Sequence, residues 1–100
     1  MAITANVDLG NGVTASSCYL IVPTAYVKKM TDDSFKLIYD VEIYQNESAR
    51  NSTERFSKRI TCNAVDHVKI DYDPTTSDNP FKLAYTHLKT NSSLSSVADA

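Results

Sequence analysis

One segment constrains the fold of this chain more than any other. Over Phe35–Tyr44, Phe35, Leu37, Tyr39, Val41 and Ile43 alternate with Lys36, Asp40 and Glu42. Successive side chains of a strand point to opposite faces, so five apolar matches at period two commit one face to a core. Ile38 and Tyr44 break the polar parity of the other face, which is therefore expected to be partly covered as well.

Residues 2–9 alternate in the same way, with Ile3, Ala5, Val7 and Leu9 on one face. Gly10-Asn11-Gly12 follows, and Asn-Gly between apolar runs is a strong hairpin signal. These are the only two glycines in the chain, so the backbone elsewhere is expected to have little call for positive φ. Residues 13–30 read as a long second strand, in which Cys18, Leu20 and Val22 alternate with Tyr19 and Ile21. Pro23 cannot donate to a ladder and marks an edge, a bulge or a bend, with residues 26–30 continuing beyond it. Thr31, Asp32, Asp33 and Ser34 make a polar turn.

Residues 45–54, QNESARNSTE, read as a polar loop long enough to project. Residues 55–72 alternate again, with Phe56, Ile60, Cys62, Ala64, Val68, Ile70 and Tyr72 on one parity. Asp66 interrupts that series, so a break within residues 64–67 is expected, giving two strands or one bent strand. Residues 73–77 form a loop.

Residues 78–90, DNPFKLAYTHLKT, are the one clear helix. Asn79, or Asp78 one residue earlier, can accept from the free amides of the first turn. Pro80 sits near the first helical position, where its missing N–H costs nothing. Phe81, Ala84, Tyr85 and Leu88 recur at i, i+3, i+4 and i+7 and form one apolar stripe. Lys82, Thr86 and Lys89 face outward, and Lys89 suits the negative end of the helix dipole. Asn91 can close the helix in a left-handed conformation.

This order predicts an α+β domain: a mainly antiparallel β-sheet of four to five strands with one C-terminal helix packed on one face. Phe81, Tyr85 and Leu88 are expected on Phe35, Leu37, Val41 and Ile60. Residues 1–90 would form the single compact domain, with the helix at 79–90. Residues 91–100, rich in serine and without a period, read as a flexible tail or one ordered by a partner.

Composition narrows the function classes. The net charge of −2 provides no general field for nucleic acid. No run approaches the roughly 18 apolar residues of a membrane span. The first ten residues lack the charged start and apolar core of a secretion leader, which points to cytosolic synthesis and to free thiols at Cys18 and Cys62. A Cys18–Cys62 disulfide would need neighbouring strands.

No catalytic, metal or cofactor site is assigned. Asp71, Asp73 and Asp78 lack the glycine and final glutamate of a calcium loop and read as a solvated turn. His67 and His87 are isolated, and Cys18, Cys62 and His67 lack zinc spacing or the setting of a Cys–His nucleophile. Asn46, Asn51 and Asn91 match the glycosylation pattern by chance in polar loops. Arg50, Arg55, Lys58 and Arg59 form a basic cluster with Glu47 and Glu54 interspersed, either a solvated hairpin or a contact for an acidic surface. The candidate partner interface is Tyr19 and Tyr44 on the outer face, Arg50 and Arg55 in the basic cluster, and Leu94 and Val97 in the tail.

Two stretches carry a resemblance. One is Asn11-Gly12-Val13 followed by Ala15 and Cys18-Tyr19. The other is Asn79-Pro80-Phe81-Lys82-x-Ala84-Tyr85-x-x-Leu88-Lys89, with Val97-Ala98-Asp99 near the end. In these stretches the chain resembles a group of small bacteriophage structural proteins found with tail and baseplate components. Cys18, Pro23 and residues 64–75 lie outside the shared pattern. The resemblance implies a non-enzymatic virion component, made in the bacterial host cytoplasm, that docks other virion proteins in a symmetric multi-copy assembly. It implies no cofactor, nucleic acid, membrane or small-molecule substrate. A capsid decoration protein and a small host-directed regulatory binding protein are the alternatives.

Overall fold

In the computed structural model the chain forms a mostly antiparallel sheet of six strands among the described residues, which are 2–10 and 12–100, without the side chains of Phe56, Ser57 and Asn63. The strands are β1 (Ile3–Gly10), β2 (Val13–Lys29), β3 (Phe35–Tyr44), β4 (Arg59–Ile60), β5 (His67–Asp71) and β6 (Leu94–Asp99). The helices are α1 (Glu47–Arg50), α2 (Asn63–Asp66) and α3 (Pro80–Leu88), and a 3-10 turn at Arg55–Lys58 lies between α1 and β4. The sheet order is β4-β3-β2-β1-β6, and β5 pairs with β3 alongside β4.

β2 is the spine. Its first half pairs with β1, from Gly10↔Val13 to Ile3↔Leu20, and its second half pairs with β3, from Tyr19↔Tyr44 to Lys29↔Phe35. The β1–β2 connection takes the expected hairpin form, with Gly10 at φ 87 and Gly12 at φ 78. Asn11, its central residue, lies outside the described residues. Pro23 is accommodated as a bulge: the register with β3 shifts between Ile21 and Thr24. The extra residue reverses the parity of β2, so Cys18, Leu20 and Val22 face the core before it and Ala25 and Val27 after it.

The inner-face series of β3 is buried from Leu37 to Ile43. Leu37, Tyr39, Val41 and Ile43 are all at most 1% exposed. On the outer face Ile38 and Tyr44 are buried too, as their polarity predicted. Helix α3 covers the inner face with Ala84, Tyr85 and Leu88, and α2 adds Val65. Burying a side chain such as Leu88 contributes about 1.5–3 kcal/mol before entropy is counted.

Several expectations are corrected. Helix α3 is not the last element, and the sheet has more than five strands. Residues 91–100 are not a tail: β6 pairs with β1 from Ile3↔Asp99 to Val7↔Leu94 and closes that edge of the core. A register shift between Thr4 and Asn6, with Ser96 at φ 52, separates Leu94 and Val97 by three residues instead of two. That bulge is why no period was visible.

Phe81 is 43% exposed and not core. It lies on the apolar stripe but in the first turn of α3, beside Val22 and Tyr85. The pairing of β1 with β2 stops at Leu20, so the sheet is narrower beneath that turn. Leu83 is half-buried against the core instead, and Phe35 is only half-buried. Positive φ is also not confined to glycine: Ser17, Asp33 and Ser96 adopt it. Ser17 lies in the β2 bulge opposite β1, and its amide donates to Asn6 Oδ1 at 2.8 Å.

The break expected within residues 64–67 is α2. One helical turn moves Ala64 to the surface and buries Val65 in its place. Residues 45–54 are not a simple loop either, because α1 sits inside them, with Asn46 Oδ1 accepting from the Ala49 amide at 2.8 Å. Asn91 is not left-handed. Its side chain donates to the Ala64 carbonyl and accepts from the Ser93 amide, tying α3 to α2 and to β6.

Candidate functional site

A cleft of about 570 Å³ opens where the bulge of β2 meets residues 50–55. Its sheet wall is built by parity. Tyr19 and Ile21 project from the outer face of β2, and Glu42 stands opposite Ile21 on β3. Arg50 and Asn51, at the end of α1, and Arg55, in the 3-10 turn, form the facing wall. Val22 and Pro23 form the floor, where the bulge lets Tyr85 reach through from α3 on the other side of the sheet.

Hydrogen bonds hold this wall in place. The Tyr85 hydroxyl accepts from the Val22 amide at 2.8 Å. The Tyr44 hydroxyl donates to Glu42 Oε1 at 2.9 Å. Burial pushes the Tyr44 phenol above its ordinary value, and the Glu42 hydrogen bond and charge raise it further. Burial also raises Tyr85, against the opposing effect of the Val22 amide. Arg50 is half-buried, and its Nε is shielded from solvent with no hydrogen-bond partner. Among the described residues no carboxylate lies within ion-pair distance of it.

The six residues singled out from the sequence divide. Tyr19, Arg50 and Arg55 converge on this cleft. Tyr44 is 0% exposed, so it is no contact surface; it positions Glu42. Leu94 is buried and Val97 packs against the core, both on β6 beyond β1. The expectation that they are free to meet a partner is replaced by a role in closing the sheet. The basic cluster splits as well: Lys58 lines a separate hollow with Ala15, Cys18 and Ile60, and Arg59 pairs in register with Tyr44. Ile21, Glu42 and Asn51 join the cleft without a local sequence signal. The Asp66 interruption that marked the break within residues 64–67 had no counterpart for them.

Several other titratable groups have partners of their own. Lys36 pairs with Asp71, and Lys82 with Asp78 at 3.2 Å. Asp73 accepts from the Thr75 hydroxyl and amide, and these bonds lower its pKa. His67 Nδ1 lies 2.5 Å from Asp40 Oδ1. His87 faces sideways, its Nδ1 2.6 Å from the Tyr39 hydroxyl, and burial pushes the Tyr39 phenol up to about 12. Cys18 and Cys62 are unpaired, buried thiols; burial raises Cys18, and Cys62 Sγ donates to the Asp8 carbonyl at 3.5 Å.

Among the described residues no three His, Cys, Asp or Glu side chains are grouped to hold a metal. No helix there is long and apolar enough to cross a membrane. Comparison of the chain with protein-family models, curated proteins and solved structures finds no match.

Proposed function

We propose that this domain is a non-enzymatic structural protein of a bacteriophage virion, a tail or baseplate component or adaptor that works by docking other virion proteins. The observation that carries the docking reading is the convergence of Tyr19, Arg50 and Arg55, from two distant parts of the chain, on one concave site. Tyrosine and arginine are the residue types in which interface energy concentrates, because they combine large contact area with directional polar groups. The virion part of the reading is supported by the resemblance of residues 79–89 to small phage structural proteins. Ala84, Tyr85 and Leu88 of that pattern are core residues. The helix is thus the part by which the chain resembles the group, and the cleft is the part that works.

The test is fractionation of purified particles into heads and tails, with the polypeptide identified by mass spectrometry. The docking reading expects it with tails, and the decoration reading expects it with heads. Absence from both would overturn the virion role. Tyr19→Ala is expected to lower incorporation without changing the unfolding midpoint.

A further inference from the structure

We infer that the cleft anchors an acidic side chain of the partner protein, with the Arg50 guanidinium as its receptor. The inference rests on the docking reading and adds the chemistry of what docks. Arg50 is half-buried, its Nε has no acceptor, and no carboxylate among the described residues lies within ion-pair distance. A guanidinium whose Nε is withdrawn from water without an acceptor is unfavourable at that atom, and a carboxylate is the group whose paired oxygens match its fork of donors.

The surroundings agree with that choice. Arg55 shares the wall, and Arg59 is close enough to act on the Tyr44 phenol together with Arg50. Glu42 lies in the same cleft, outnumbered by the two lining guanidinium groups and engaged by the Tyr44 hydroxyl. The chain as a whole carries −2, so this concentration of positive charge is local. Tyr19 and Ile21 add an apolar flank against which the stem of an acidic side chain can pack. An aliphatic occupant would leave the Arg50 donors unmatched. A basic one would be repelled.

The experiment is a titration of the ¹⁵N-labelled full chain with acetyl-Asp-Asp-Asp-amide, following the Arg50 Nε–Hε and Asn51 amide resonances. Acetyl-Asn-Asn-Asn-amide and inorganic phosphate are the comparison probes. The expected result is a saturable shift with the aspartate peptide, none with the asparagine peptide, and weakening by added salt. Arg50→Gln should lower affinity by about tenfold or more, the factor of one charge-assisted hydrogen bond. Arg50→Lys, which keeps the charge and packing stem, should retain part of the binding if the glutamine variant fails to fold. A linear response, an equal response to the asparagine peptide, or undiminished binding by Arg50→Gln would overturn the inference. Binding of phosphate alone would overturn the acidic-peptide assignment. A positive titration with the polypeptide absent from particles would sink the virion role and leave the site. A negative titration with the polypeptide in tails would do the reverse.

Discussion

The Tyr85 hydroxyl accepts a hydrogen bond from the Val22 amide at 2.8 Å, across the layer between α3 and β2. Pro23 forces a bulge beside Val22, and the pairing of β1 with β2 has already ended at Leu20. The Val22 amide therefore looks to the helix for its acceptor, and one hydroxyl joins the helix, the bulge and the floor of the cleft.

Removing that hydroxyl should be costly out of proportion to its size. Tyr85→Phe keeps the ring in the core but strands a buried backbone donor, so a loss of about 1–3 kcal/mol is expected in urea unfolding. Faster hydrogen exchange at the Val22 amide should accompany it. Unchanged exchange at Val22 would mean that the hydroxyl is not its acceptor.

These particulars show which features can be read from a linear pattern. The strand Phe35–Tyr44 was legible because no bulge disturbs its period and its inner face is buried from Leu37 to Ile43. Helix α3 was legible because its cap, its proline and its stripe agree. β6 was hidden by the bulge at Ser96, which breaks the parity that reveals a strand. Phe81 was misplaced because a helical stripe shows which side faces inward but not how far the sheet extends beneath it. In the cleft, tyrosine and arginine were conspicuous by type, while Glu42 and Asn51 enter only through cross-strand register and a helix terminus.

The cap of α3 makes a second test. Asn79 Oδ1 accepts from the Lys82 amide at 2.8 Å. Asn79→Ala should cost about 1 kcal/mol, while Asn79→Asp, which keeps the acceptor, should stay close to the parent. Denaturant midpoints of the two variants decide this. No loss from Asn79→Ala would show that the cap contributes nothing.

High pH should destabilise the domain through Tyr39. Burial raises its phenol in the folded chain from an ordinary 10.0 to about 12. The unfolded chain loses this proton first, so the stabilisation is fully present below about pH 10 and is lost as pH rises toward about 12. Two pH units correspond to roughly 2–3 kcal/mol. Tyr44 and Tyr85, also raised by burial, act in the same direction. Tyr39→Phe should flatten the decline in a series of unfolding curves across this range. An equally steep decline in that variant would show that Tyr39 does not carry it.

Because β6 pairs with β1, deleting residues 94–100 uncovers the edge of β1 and the inner face around Ile3 and Val7, both 0% exposed in the intact domain. It also removes the Ala100 amide's hydrogen bond to the Ala2 carbonyl and the Lys89–Asp99 ion pair at 2.5 Å, which ties the end of α3 to β6. That ion pair is exposed and contributes little; the apolar burial and the strand pairing dominate. The truncated chain should lose cooperative unfolding or shift its midpoint sharply. Leu94→Ala alone should cost about 2 kcal/mol or more. Deletion with an unchanged midpoint would show that the segment is not part of the folded core.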